Sequence, residues 1–104
     1  MLDEMIFKNK IISAIKTVYD PEIPVNVYDL GMIYEINISD SKEVKIIMTL
    51  TSPNCPEAER IPVEIVDAVK YIEDVKSVDV EITFDPPWTK DLISPDAMLE
   101  LGLM

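Results

Sequence analysis

The sequence predicts an α+β fold, a two-layer sandwich in which helices lie on one face of a small three-stranded mixed sheet. Apolar residues recur at helical spacing in three segments, and in three others they alternate with polar residues. These segments follow the order α-β-β-α-β-α. Because 104 residues are enough to bury one core, we expect a single domain over residues 1–104.

The first half of the chain predicts a helix followed by a β-hairpin. Apolar residues spaced three and four apart over 3–19 indicate an amphipathic helix. Asp20-Pro21 ends it, because a residue before proline is pushed out of the helical region, and a loop over 20–31 should follow. Alternating apolar residues over 32–38 and 44–50 predict two antiparallel strands, since only a short polar link separates them.

The second half predicts a helix, a strand and a short final helix. Helical periodicity extends to about residue 74, and Pro56 is well suited to open this helix. Pro62 implies either a kink or a start nearer Ile61. Alternation over 78–84 predicts the third strand, which the following Asp-Pro-Pro sequence stops.

The signals for the final helix are also local. Ser94-Pro95 supplies an N-cap and a first helical residue, and Gly102 is typical of the position just beyond a helix end.

The third strand should lie beside one of the first two. If the helix between the second and third strands forms a right-handed crossover, those two strands are parallel and end at the same edge of the sheet.

The charge and composition exclude several functions. Twenty acidic and nine basic residues give a net charge of −11, which repels nucleic acids and anionic membranes. There is no histidine, so the usual general base and the hydrolase triads are absent. A single cysteine forms no internal disulfide, and the sequence shows neither a leader pattern nor a long apolar run. We therefore expect a cytoplasmic location.

That cysteine, Cys55, occupies a position where thiols become reactive. It follows a strand-like run and directly precedes Pro56, so a helix that begins at Pro56 makes Cys55 its N-cap. The positive end of a helix lowers the pKa of a thiol and favours the thiolate. The alternative is that Cys55 is a small buried apolar residue, but the flanking turn residues favour an exposed loop tip.

Parallel second and third strands would bring the Cys55 loop and the Trp88 loop to one edge of the sheet. The carboxylates of Asp20 and Glu22 could reach the same edge. A thiolate, carboxylates and an indole together suit a metal or thiol-exchange site. Each also has a structural alternative, because Asp20 and Asp29 are common turn residues and Trp88 could cover the core.

Four motifs, in order along nearly the whole chain, resemble one family. They are DPEIP at 20–24, NVYDLGMIY at 26–34, MTLTSPNCP at 48–56 and DPPWT at 85–89. The chain resembles the iron–sulfur cluster assembly domain family, which includes the bacterial SufT and PaaD proteins and the eukaryotic cytosolic targeting factor. The resemblance implies an α+β domain and a role in the maturation of iron–sulfur proteins.

The resemblance also assigns site residues. Cys55 matches the family's cysteine, and the other matching motif residues are Asp20, Glu22, Asp29, Thr51 and Trp88. Because the chain ends at Met104 without the cysteine-rich tail of PaaD-type members, we expect the stand-alone SufT-like form.

Iron–sulfur clusters are normally held by four thiolates, and this chain offers one. We therefore expect an accessory factor, not an enzyme, that helps pass a transient cluster or iron through Cys55, with none tightly bound. Its partners would be apo iron–sulfur proteins and cluster assembly scaffold proteins, and a homodimer would supply two thiolates.

Two other functions remain open from the residues alone. A metal-free adaptor would link clients to the assembly machinery through the acidic surface and Trp88. A thiol reductase or peroxidase is the third function, but the chain lacks a resolving cysteine and a histidine base.

Overall fold

A computed structural model of the protein describes residues 2–19, 24–50 and 60–102. Its elements follow the predicted α-β-β-α-β-α order, which confirms the α+β fold. They are α1 (Leu2–Ile15), β1 (Ile33–Ile38), β2 (Glu43–Met48), α2 (Arg60–Lys70), β3 (Ser77–Ile82), a 3₁₀ turn (Lys90–Leu92) and α3 (Pro95–Glu100). Across these described ranges, no helix has the length and apolar character needed to cross a membrane.

The sheet has the strand order β1-β2-β3, with β2 in the centre. β1 and β2 are antiparallel, and Ile36 lies opposite Ile46. β2 and β3 are parallel, and the same Ile46 lies opposite Val80. The antiparallel pairing of β1 and β2 is the one that the sequence predicts. The sequence places β3 beside one of the first two strands, and the structure shows that its neighbour is β2.

The core lies between the helices and one face of the sheet. Because side chains alternate along a strand, Val44, Ile46 and Met48 of β2 all point to this face, and all three are buried. The helices contribute buried residues at helical spacing: Phe7, Ile11 and Ile15 from α1, and Ile61, Ile65 and Val69 from α2. The opposite face of β2 carries Glu43, Lys45 and Ile47, and it is open.

α1 ends four residues before the predicted boundary at residue 19, because the backbone forms a tighter turn after Ile15. The Thr17 hydroxyl donates a hydrogen bond to the Ala14 carbonyl oxygen at 2.7 Å, and the Thr17 amide donates to the same oxygen at 3.1 Å. Such side-chain bonds to the backbone compete with continued α-helix. The apolar periodicity continues to Val18, which is buried, and so it overstates the length of the helix.

The described part of α2 runs from Arg60 to Lys70, and Pro62 lies within it. The predicted helix start at Pro56 and the N-cap at Cys55 lie outside the described residues. The choice between a kink at Pro62 and a helix start nearer Ile61 therefore stays open.

The two ends of α3 are those that the sequence predicts. The Ser94 hydroxyl oxygen accepts a hydrogen bond from the Ala97 amide at 3.2 Å, and Pro95 is the first helical residue. Gly102, just beyond the helix, has a φ of +73°, a left-handed conformation that glycine adopts without a steric penalty. α3 buries Ala97 against the core.

Candidate functional site

Residues 26–32, which we call the anchor segment, join the regions of the chain that carry the predicted site. The first of these regions is the loop after α1. Tyr19 and Asn26, which flank this loop, form an antiparallel bridge. The Val27 amide donates a hydrogen bond to the Val18 carbonyl oxygen at 2.9 Å. The described residues on the two sides of 20–23 are therefore paired with each other at the start of the anchor segment.

The second region is the exit from β2 towards Cys55. The Thr49 amide donates to the Met32 carbonyl oxygen, the last of the anchor segment, at 2.8 Å. Thr49 is fully buried, which is the strongest burial of any polar residue in the described part of the chain. The chain therefore leaves β2 from a fixed point beside the anchor segment.

The third region is the exit from β3 towards Trp88. Met48 and Ile82 are partners in the parallel register, and the Thr83 amide donates to the Met48 carbonyl oxygen at 2.8 Å. β2 and β3 thus end together at one edge of the sheet.

Trp88 is attached directly to the anchor segment. Its indole Nε1 donates to the Leu30 carbonyl oxygen at 2.7 Å, and its half-buried ring packs against the core. The interpretation of Trp88 as a cover on the core is therefore correct, and the hydrogen bond also fixes the indole at the edge where β2 and β3 end.

Asp29 lies inside the anchor segment and helps to shape its turn. Asn26 Nδ2 donates to Asp29 Oδ2 at 2.8 Å, and the Asp29 amide donates to Asn26 Oδ1 at 2.9 Å. The Ser94 amide donates to the Asp29 carbonyl oxygen at 2.7 Å, which attaches the start of α3. Asp29 thus has the turn role that its residue type indicates. Sequence reasoning missed Asn26, whose three-residue spacing from an aspartate was the available signal.

Gly31 lets the 3₁₀ turn pack closely against the anchor segment. Its φ is +80°, and a Cβ built there would overlap the carbonyl oxygen and Cβ of Leu92. The 3₁₀ turn that contains Leu92 therefore packs directly on the backbone of the anchor segment. Only glycine fits both the conformation and the space.

Tyr34 fixes the start of the segment that leads to Trp88. Its hydroxyl donates to the Pro86 carbonyl oxygen at 2.7 Å. The peptide bond between Asp85 and Pro86 is cis. The Tyr34 side chain that makes this contact is half-buried.

Four of the predicted site residues lie outside the described residues: Asp20, Glu22, Thr51 and Cys55. The structure brings together the regions that lead to them, and Asp29 and Trp88 both belong to that assembly. Their own placement, and the contact of Cys55 with Trp88, stay predictions. Among the residues that are described, no group of three or more Cys, Asp or Glu side chains could hold a metal ion.

Comparison with known proteins identifies the family. The model of a family described as iron–sulfur cluster assembly protein matches residues 8–82. This chain belongs to that family. The family inferred from the four motifs is thereby confirmed.

Relatives match over most of their length. The chain is 49% identical to the "Fe-S protein maturation auxiliary factor" of Porphyromonas gingivalis, a match that covers 90% of each chain. It is 37% identical to "Fe-S protein maturation auxiliary factor YitW" of Bacillus subtilis, over 96% of this chain and 98% of the relative. A crystal structure of a domain of unknown function, DUF59, from Bacillus anthracis superposes with a TM-score of 0.87. The two are 30% identical over 96% of this chain and 95% of the other.

The two glycines with positive φ allow a matched test of the anchor segment. We expect Gly31→Ala to lower the free energy of unfolding by about 2–4 kcal/mol, because the left-handed conformation and the overlap with Leu92 both oppose a Cβ. Gly102→Ala meets open space and should cost only about 1 kcal/mol. Urea unfolding followed by circular dichroism measures both values. Equal losses in the two variants would contradict the close approach at Gly31.

A second pair of variants tests the attachment of Trp88. Trp88→Phe leaves the carbonyl oxygen of the buried Leu30 without its donor, so we expect the free energy of unfolding to fall by about 1–3 kcal/mol, and the loss of packing lowers it further. Tyr34→Phe removes a hydrogen bond that is exposed to water and should cost less than about 1 kcal/mol. The same unfolding measurement compares them. A Trp88→Phe variant as stable as Tyr34→Phe would show that the indole hydrogen bond contributes nothing.

Proposed function

We propose that this chain helps to transfer iron–sulfur clusters or iron to apo-proteins through Cys55, in the cytoplasm and without turnover of a small substrate. An accessory role in iron–sulfur protein maturation follows from its family and from relatives that are named auxiliary maturation factors. The use of Cys55 and the identity of the cargo are our proposals. The observation that carries them is that the exits of β2 and β3 meet at one edge, beside the anchor segment.

The number of cysteines favours a passing cargo. One thiolate per chain is too few to hold a cluster, so other ligands must complete the site. They could come from Cys55 of a second copy, from Asp20 or Glu22, from a small thiol or from the client's own cysteines. A cluster that is held by few protein ligands exchanges them readily, and this lability suits a transfer factor.

The transfer step itself is ligand exchange. A client thiol releases its proton to solvent and bonds to iron as a thiolate, while the bond between iron and the Cys55 sulfur breaks and Cys55 leaves as a thiolate. The iron and the sulfide keep their oxidation states, so the step requires neither an oxidant nor a reductant. A helix N-terminus would favour the leaving thiolate, since it stabilises negative charge.

Ordered residues flank the stretch that carries Cys55. Thr49 is fully buried before it, and Ile61 is fully buried at the start of the described part of α2. Described residues on both sides of 51–59 are therefore packed in the core. This arrangement supports a thiol that is presented at a defined place on the edge of the sheet.

The second candidate function is a metal-free adaptor. It is favoured by the net charge of −11 and by the fixed position of Trp88 at the same edge. Such a protein would join clients to the assembly machinery through surface contacts. The two candidates differ in which residue is essential, because an adaptor would need Trp88 and would tolerate the loss of Cys55.

Substitution of Cys55 distinguishes the two candidates in cells. In a strain that depends on this protein, we expect Cys55→Ser to abolish cluster loading of client enzymes, because the ligand that exchanges is lost. Client iron content and activity measure the loading, and thermal unfolding of the purified variant checks that the fold is intact. Normal client loading with Cys55→Ser, together with failed loading by a folded Trp88→Ala variant, would support the adaptor and reject the transfer factor.

Anaerobic reconstitution tests the cargo directly. With iron and sulfide, we expect the wild-type protein to develop the visible absorbance of a cluster at no more than one cluster per chain, since each chain offers one thiolate. Cys55→Ser should show no such absorbance. Identical spectra and iron stoichiometry in the two proteins would contradict a role for Cys55 as a ligand.

A further inference from the structure

The face of the sheet away from the helices forms an open groove of about 640 Å³. Its floor is Ile47, at the centre of the sheet. Glu35 of β1 and Glu81 of β3 lie directly opposite Ile47 in the register, one on each side. Because residues that are paired across strands point to the same face, these three side chains share the open face.

The wall of the groove is apolar and held in place. Tyr34, Pro86 and Leu92 line it. The hydrogen bond from Tyr34 to Pro86 and the close packing of Leu92 on Gly31 hold this wall against the end of the sheet. Leu92 nevertheless remains 40% exposed, so apolar surface faces the groove.

The charges around the groove are mostly negative. Glu35, Glu81 and Asp85 all line it. Lys45 Nζ lies 3.6 Å from Glu81 Oε1, so one amine partly balances three carboxylates. The groove therefore combines an apolar floor and wall with a net negative charge, in a chain whose own net charge is −11.

We propose that this groove binds a peptide segment of a partner protein in which basic and apolar residues alternate. Apolar side chains would cover Ile47 and Leu92, while lysine or arginine would reach Glu35 and Asp85. A second copy of this chain is disfavoured because each copy carries the same excess negative charge. The inference goes beyond the proposed function and does not involve Cys55, so either can fail while the other holds.

The probe is a synthetic amidated nonapeptide of alternating lysine and valine, titrated into the full-length ¹⁵N-labelled protein. We expect amide shifts centred on Glu35, Ile47, Glu81 and Thr83, with binding that weakens as salt is added. A peptide with glutamate in place of lysine should not bind, and one with serine in place of valine should bind more weakly.

Matched variants separate the groove from the overall charge of the chain. The triple variant Glu35→Gln, Glu81→Gln and Asp85→Asn should weaken binding about tenfold, because the peptide loses its ion pairs with Glu35 and Asp85 and the charge of Lys45 is no longer balanced by Glu81. The control variant Glu73→Gln, Asp74→Asn and Glu100→Gln makes the same change in net charge at exposed positions that do not line the groove, and it should bind like the wild-type protein. Circular dichroism checks that both variants fold.

Three results would overturn the proposal. The first is equal weakening in the two triple variants, which would mean non-specific attraction to an acidic protein. The second is a set of peptide-induced shifts centred on the helices. The third is that the groove amides shift with protein concentration in the absence of peptide, which would mean that a second copy occupies the face.

Discussion

The arrangement of this protein depends on the backbone of the anchor segment, residues 26–32. Three of its carbonyl oxygens, those of Asp29, Leu30 and Met32, accept hydrogen bonds from the start of α3, from the Trp88 indole and from the exit of β2. Each donor comes from a distant part of the chain. A buried carbonyl oxygen without a donor is costly, so these bonds hold the start of α3, Trp88 and the exit of β2 against the anchor segment. Gly31 provides the space that this convergence needs.

Local signals were sufficient to predict most of the fold. The alternation in β1, β2 and β3 predicts the three strands, and Ser94, Pro95 and Gly102 predict both ends of α3. The sequence leaves open which strand lies beside β3, and the structure shows that it is β2. The C-terminal end of α1 was predicted too late, because Val18 continues the apolar periodicity beyond the last helical residue. Core burial and helix length are separate quantities, and periodicity reports the first.

The candidate site could be predicted only in part. The position of Cys55 between a strand and a proline, and the motifs around it, mark the site in the sequence. The hydrogen bond from Trp88 to Leu30 joins residues 58 positions apart, and no local pattern in a single sequence encodes it. The bonds between Asn26 and Asp29 were overlooked although the two residues are close in sequence, because either residue alone is typical of many turns.

We propose that the anchor segment brings the Cys55 loop to the edge where Trp88 is fixed. The chain has one cysteine and one tryptophan, so a short-range nitroxide quencher attached to Cys55 reports on this contact without further engineering. The measurement is the tryptophan fluorescence of the folded, labelled protein, compared with the same protein unlabelled and with the labelled protein unfolded in urea. Strong quenching that disappears on unfolding is the predicted result. If the folded, labelled protein fluoresces as strongly as the unlabelled protein, Cys55 lies away from Trp88 and the proposed contact is wrong.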